Sequence, residues 1–349
     1  MKKYNQDRAE FSRRPFRPVS RLRGGSPKKG TPRSGDGNKT RRQNAEQGIP
    51  QRLRKAGALT NQIETKRINA DGIGITCYCA GSGEHTIILL HGAGVDSAML
   101  SWEEVIPLLS DRYRVIAPDL PGYGASDRIS GSYTLAFYTD IVKKIIEAVG
   151  GSPVILAGLS LGGGICLNMA LTYPELIRIL IPVDAWGLFG RLPWHRLTYW
   201  FTRSKLNDHL YAWTSKVPSL VRWSLASNLF GDKAKISDTL VTRTQQAMRE
   251  PDAGKPFISF QRSEITPTGL TTNLFGRLEA ISVPTLLIHG SLDKAVPVKG
   301  AIVASRRIPD CELYRMEGCK HWPQKERPEE FADAVQSYLT RKLKGTSIS

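Results

Sequence analysis

The sequence predicts an α/β fold: a mostly parallel sheet covered by helices on both faces, with a helical segment inserted late in the chain. Three observations carry this expectation. From about residue 62, short apolar runs alternate with amphipathic stretches. Several of those runs are apolar throughout, as strands buried on both faces are. Between residues 187 and 280 the rhythm stops, and afterwards it resumes.

The elements follow in order. "IETKRINADGIGITCYCA" reads as two strands joined by a turn at Asp71-Gly72. Thr86–Leu90 is a third strand that ends in a Gly-rich loop, and Arg114–Ala117 is a short buried one. Leu135, Tyr138, Ile141, Val142, Ile145 and Val149 recur at spacings of three and four, which predicts an amphipathic helix. An apolar strand at Val154–Ala157, a sharp Gly-rich turn and a helix to about Thr172 come next. Strands at Ile179–Val183, Thr285–His289 and Glu312–Met316 complete the series. Phe331, Ala334, Val335, Tyr338 and Leu339 mark a final helix. The interruption at 187–280 reads as mainly helical and is rich in aromatic residues, most of which are expected to pack the insertion against itself.

The chain has 349 residues and a formal net charge of +17. The charge is concentrated at one end: residues 1–55 carry 17 basic and 4 acidic side chains, against 32 and 28 in the remainder. Residues 1–58 therefore read as a basic disordered tail, too poor in apolar groups to offset the entropy of ordering. Weak association with polyanions is its expected property. Asp7, Glu10, Pro15 and Pro18 argue against an amphipathic targeting helix. The folded body is expected to span 59–349, with 187–280 as its insertion. With 40% hydrophobic residues and no repeat, collagen, coiled coil and a wholly disordered chain are excluded. No apolar run reaches the roughly 20 residues that span a bilayer. Five Cys without paired spacing read as small hydrophobes of a reducing compartment, so a cytoplasmic location is expected.

The strongest chemical signal is Gly158-Leu159-Ser160-Leu161-Gly162, between a predicted strand and a predicted helix. Such a turn forces its central residue into strained backbone geometry and lifts the hydroxyl above the sheet. A serine needs a base to become a useful nucleophile. His321 follows the last predicted strand and Asp293 the strand before it. Loops beyond the carboxyl ends of parallel strands converge at one crevice. His321 is thus the candidate base and Asp293 the acid that orients it, with Asp184, which also follows a strand, as the fallback acid. The oxyanion of a tetrahedral adduct needs preorganised donors. The N–H of Leu161, directly after the nucleophile, is one candidate, and that of Ala93, in the His91-Gly92-Ala93-Gly94 loop, the other. His91 reads as a holder of that loop.

These motifs together resemble the α/β-hydrolase fold family, through HGAG at 91–94, APDLPGYGASD at 117–127, GLSLGG at 158–163, PTLLIHGSLDKAVP at 284–297 and KHWPQKERPEEF at 320–331. The resemblance covers roughly residues 62–342. It implies an eight-stranded sheet whose second strand alone is antiparallel, and a helical lid inserted after strand six. It also implies Ser160, Asp293 and His321 as catalytic residues, with Ala93 and Leu161 as the oxyanion hole.

Relatives with Asp at the elbow form alkyl-enzymes, so Ser160 implies an acyl intermediate. Hydrolysis of a carboxylic ester or lactone is the first expectation, without cofactor or metal, on a small substrate with an apolar moiety. Carbon–carbon cleavage of a diketo acid, or a non-catalytic small-ligand receptor on the same fold, are the alternatives. Members that cleave carbon–carbon bonds often continue the oxyanion loop with Gly-Pro-Gly, where this chain has Gly94-Val95-Asp96. A carboxylate there is unhelpful unless it points away.

Overall fold

The structure, a computed structural model, describes residues 63–344. The predicted basic tail, 1–58, lies outside the described residues. Eight strands form one sheet in the order β1-β2-β4-β3-β5-β6-β7-β8. They are β1 (Glu64–Ala70), β2 (Ile73–Ala80), β3 (Thr86–Leu90), β4 (Arg114–Pro118), β5 (Val154–Leu159), β6 (Ile177–Val183), β7 (Thr285–Gly290) and β8 (Cys311–Met316). β2 runs antiparallel to both β1 and β4, and every other pairing is parallel.

The hairpin turn is at Asp71-Gly72, both with positive φ (60° and 84°), the backbone a two-residue turn between twisted strands requires. β3, β5 and β7 are buried along their whole length, whereas the edge strands β1 and β8 carry Lys66, Arg67, Glu312 and Arg315. Charged edges discourage pairing with another chain.

Helices cover both faces. In chain order they are α1 (Ala98–Trp102), α2 (Val105–Ser110), α3 (Leu135–Val149), α4 (Leu161–Thr172), α5 (His195–Arg203), α6 (Lys205–Thr214), α7 (Pro218–Ser224), α8 (Asp238–Arg249), α9 (Lys255–Glu264), α10 (Val298–Ser305), α11 (Pro323–Glu326) and α12 (Pro328–Lys344). Alternate strand residues divide the core. Ile88, Leu90 and Leu156 pack with Tyr138, Ile145 and Ile165 of α3 and α4. Ile87, Leu89 and Ile155 pack with Ile106, Phe331 and Leu339 of α2 and α12 on the other face. α3 begins where the Thr134 side chain accepts the Phe137 N–H, and ends at Gly150. None of the described helices is long and apolar enough to cross a membrane.

No helix is expected from the residue pattern between β3 and β4, where α1 and α2 stand. At five and six residues these are too short to show a period. α5 to α9 lie between β6 and β7, where the insertion was expected. They are tied to the body by Trp186 Nε1 donating to Glu264 Oε2 (2.9 Å), the Tyr133 N–H to Ser259 Oγ (3.0 Å) and Lys320 Nζ to the Ala226 carbonyl (2.7 Å).

The expectation that most aromatics of the insertion are internal needs correction for its tryptophans. Phe189, Phe230 and Phe260 are buried, but Trp194, Trp200, Trp213 and Trp223 are all exposed. For Trp213 the reason is visible on α6, which turns polar Asn207 and Asp208 toward α9, where they meet Gln261 and Arg262.

Candidate active site

Ser160 sits between β5 and α4 with φ 54° and ψ −109°, a conformation that L residues rarely hold. The turn survives because its surroundings pin it. The Ser160 N–H donates to the Val183 carbonyl (2.8 Å), and the Ser160 carbonyl accepts from the Gly164 and Trp186 N–H groups (2.9 Å each). The flanking glycines are required by space: a Cβ on Gly158 would lie 2.4 Å from the Gly162 backbone, and one on Gly162 2.6 Å from the Leu90 carbonyl oxygen. Gly158 and Gly162 therefore let strand and helix approach closely.

Asp293 and His321 come from the loops after β7 and β8, which are laced together. Ser291 N–H donates to the Met316 carbonyl (3.1 Å) and Leu292 N–H to the Cys319 carbonyl (2.9 Å). His321 Nδ1 stands 2.7 Å from Asp293 Oδ2. The other Asp293 oxygen accepts the Ala295 and Val296 N–H groups (2.7 and 3.1 Å), so the carboxylate cannot turn away. Both side chains are buried. Asp293 pairs with His321 and not with its neighbour Lys294.

A second carboxylate and imidazole stand behind this pair. His289, inside β7, donates from Nε2 to the Val296 carbonyl (2.9 Å). The same nitrogen lies 3.3 Å from Asp184 Oδ1 and 3.7 Å from Asp293 Oδ2. Asp184 Oδ1 accepts the Gly290 N–H (2.9 Å), while its Oδ2 is buried without a hydrogen-bond partner. Burial pushes the Asp184 carboxyl above its ordinary range, against the attraction of His289.

Asp184, His289 and Asp293 are also the described group with atoms close enough to hold a metal ion, within 4.8 Å of one another. The Asp293 oxygens and His289 Nε2 are already engaged by N–H groups, His321 and the Val296 carbonyl, so the arrangement reads as a hydrogen-bonded network. Sequence reasoning placed Asp184 as a fallback acid but missed His289. The available signal was its position four residues before Asp293 on the same strand-to-loop junction.

For His321, burial disfavours the charged form, but the charge and hydrogen bond of Asp293, helped by Asp184 and Asp96, outweigh it and hold the imidazole above its usual value.

The loop at 91–94 lies over Ser160: a Cβ on Gly92 would be 3.4 Å from the Ser160 Cβ. His91 holds the loop, as expected. Its Nε2 accepts the Leu120 N–H (2.9 Å) and its Nδ1 donates to the Gly92 carbonyl (2.7 Å). Burial pushes its pKa down to about 4, so the ring is neutral. The Ala93 and Leu161 N–H groups have no acceptor among the described residues.

Asp96 points back into its own loop. Its Oδ2 accepts the Gly92 N–H (2.7 Å), its Oδ1 the Ser97 N–H (2.8 Å), and Ser101 Oγ lies within 2.9 Å of both oxygens. Burial raises its pKa to about 7 in spite of these donors. A carboxylate that sequence reasoning treated as a misfit is thus a tether of the loop.

Ser160, Ala93 and His321 line one cavity of about 510 Å³. The insertion supplies much of its wall, including Phe201, Leu210, Phe257 and Phe260. Among the described residues, the lining contains several neutral polar groups, such as Asn207, Thr244 and Gln261, but no Lys, Arg, Asp or Glu. A serine in strained backbone, an imidazole held by a buried carboxylate and the unengaged Ala93 N–H thus meet at one apolar cavity, a set of groups suited to nucleophilic attack on a carbonyl.

Comparison with known proteins agrees with the fold. The family model described as "alpha/beta hydrolase fold" matches residues 85–328. A 2-hydroxy-6-oxo-6-(2'-aminophenyl)hexa-2,4-dienoic acid hydrolase from Metapseudomonas resinovorans is 28% identical over 301 residues, covering 83% of this chain and 97% of that protein. A 2-hydroxy-6-oxo-6-phenylhexa-2,4-dienoate hydrolase from Burkholderia cepacia is 31% identical over 270 residues, covering 74% and 89%. Among solved structures, a meta-cleavage product hydrolase from Pseudomonas fluorescens IP01 superposes with a TM-score of 0.67 at 26% identity, over 80% of this chain and 98% of that one. With sheet order, elbow and motif order all in agreement, the chain belongs to the alpha/beta hydrolase fold family.

Proposed function

We propose that this chain is a serine hydrolase that works through a covalent acyl-enzyme. The observation that carries the reading is the hydrogen bond between His321 and Asp293, set on the same cavity as the strained Ser160. Ser160 Oγ attacks a carbonyl carbon while His321 Nε2 takes its proton, and Asp293 holds Nδ1 and offsets the imidazolium charge. The Ala93 and Leu161 N–H groups receive the oxyanion. Collapse breaks the bond to the leaving group, which departs with its electron pair and takes the proton from His321. Water, deprotonated by the same imidazole, then attacks the acyl carbon and releases a carboxylic acid. Residues 187–280 act as a lid that supplies apolar contacts to the substrate.

The leaving group decides between two substrate classes. Carbon–carbon cleavage of a 2-hydroxy-6-oxo-dienoic acid, taken as its 2,6-diketo tautomer (the 2-hydroxyl proton having moved to C5) so that the departing carbon leaves as an enolate, is favoured by the names of the relatives, which this chain covers over almost their full length. The relatives thus put this class ahead of the ester or lactone that the sequence alone placed first. Ester or lactone cleavage keeps one specific observation in its favour: among the described residues, the cavity lining holds no Lys or Arg to pair with a dienoate carboxylate. Initial rates of wild type and Ser160→Ala on a panel of ring-fission diketo acids, aryl and alkyl esters and lactones test both. Ser160-dependent turnover of diketo acids well above that of esters supports the first class, and the reverse order the second. Tight ligand binding without Ser160-dependent turnover of any class contradicts the hydrolase reading.

A further inference from the structure

Helices α5 and α6 are amphipathic in the wrong direction for a core. On α6, Leu206, Leu210 and Trp213 recur at i, i+4 and i+7 and form one exposed stripe, while Asn207 and Asp208 face α9. On α5, His195 and Thr202 are buried, and Leu197 and Trp200, on the opposite side of the helix, are 68% and 69% exposed. Trp194, directly before α5, and Trp223, on α7, are further exposed indoles. Scattered exposed apolar residues are ordinary, but several large ones at helical spacing are the mark of a contact surface.

The charges beside the stripes are of one sign. Arg196, Lys205 and Lys216 are exposed, and none makes an ion pair with a described residue. Asp208, the one acidic residue between 191 and 216, is held by Arg262 at 3.1 Å. Indole rings that project among unpaired cations suit the boundary between anionic headgroups and acyl chains, where Trp is enriched and each basic residue adds attraction. A second copy of the same face would bring its cations against identical ones. Leu210 belongs both to the stripe and to the cavity wall, so the surface adjoins the site.

We propose that the outer faces of α5 and α6, with Trp194 and Trp223, dock on a bilayer that carries anionic headgroups, as a peripheral contact beside the cavity. The proposal does not depend on which bond the enzyme cleaves.

The basic tail would also be drawn to anionic vesicles, so the test must separate the two. All seven Trp lie at residue 102 or later, which makes tryptophan emission blind to the tail. The full chain is mixed with vesicles of acyl-brominated phosphatidylcholine, with and without phosphatidylglycerol, and quenching is followed across a salt series. Quenching that is strong with phosphatidylglycerol, weak without it and reduced by salt is expected. The double variant Leu197→Ser/Leu206→Ser keeps every Trp, and its fold is checked by circular dichroism. It should need about tenfold more lipid for half-maximal quenching, or more, since it removes two exposed apolar anchors. Capture by anionic vesicles without quenching would assign binding to the tail and overturn the proposal. Unchanged quenching in the double variant would do the same. So would a concentration-dependent dimer that the variant loses, in a chain that shows no quenching.

Discussion

Asp293 Oδ2 lies 2.7 Å from His321 Nδ1, and the other oxygen of that carboxylate is fixed by two backbone N–H groups of its own loop. The acid is anchored before it meets the imidazole, so one side chain sets the tautomer, the orientation and the affinity of His321 for protons.

Asp293→Asn should therefore leave the fold in place and remove most turnover, with kcat falling by about three to four orders of magnitude. Steady-state kinetics on whichever substrate the panel selects, alongside a thermal melt, measures this. A loss smaller than about tenfold would show that another carboxylate serves. Asp184 is the candidate, since its charge also acts on His321.

The pH profile has a definite sign. His321 accepts a proton only when neutral, and its partners hold its pKa above the usual 6.5. The second-order rate of inactivation by a fluorophosphonate should fall as pH drops through a midpoint above 6.5. In Asp293→Asn the opposing effect of burial is left less balanced, so the midpoint moves down. Asp184→Asn should lower it by a smaller step. A wild-type midpoint well below 6.5 would contradict the arrangement.

Asp96 makes the oxyanion loop testable apart from the nucleophile. Asp96→Ala removes the acceptor of the Gly92 N–H and of Ser101 Oγ and leaves buried donors unpaired, at a cost of about 1–3 kcal/mol in stability. Because the loop carries Ala93, kcat should fall about ten- to a hundredfold, while KM changes less. Stability and kcat both within error of wild type would remove Asp96 from the site.

The elbow glycines give a structural check. Gly162→Ala places a Cβ 2.6 Å from the Leu90 carbonyl oxygen, so backbone must move, and a loss of about 3 kcal/mol is expected. Denaturant unfolding measures it. An unperturbed Gly162→Ala would mean that β5 and α4 do not approach as described.

The sequence carried most of this fold because the strands report themselves. β3 and α3 fall on the residues their patterns predict, and Thr134 and Gly150 punctuate α3. Ser160, Asp293 and His321 were legible from motif order, since each follows a strand whose end faces one crevice. What stayed hidden was set by tertiary contact. Nothing local says that Asp96 folds back on Gly92, or that His289, within a fully buried strand, turns to Val296 and Asp184. The outward tryptophans of α5 to α7 depart from the expectation that most aromatics of the insertion pack internally, because composition says which residues are apolar and not which side of a helix finds a neighbour.

The central claim is that Ser160 is the nucleophile, and the site of fluorophosphonate attachment tests it most directly. Peptide mapping by mass spectrometry after labelling should find one adduct per chain, on Ser160, with loss of activity in proportion, and none in Ser160→Ala. A chain that is inactivated through a different residue, or that turns over substrate with Ser160 replaced, would contradict it.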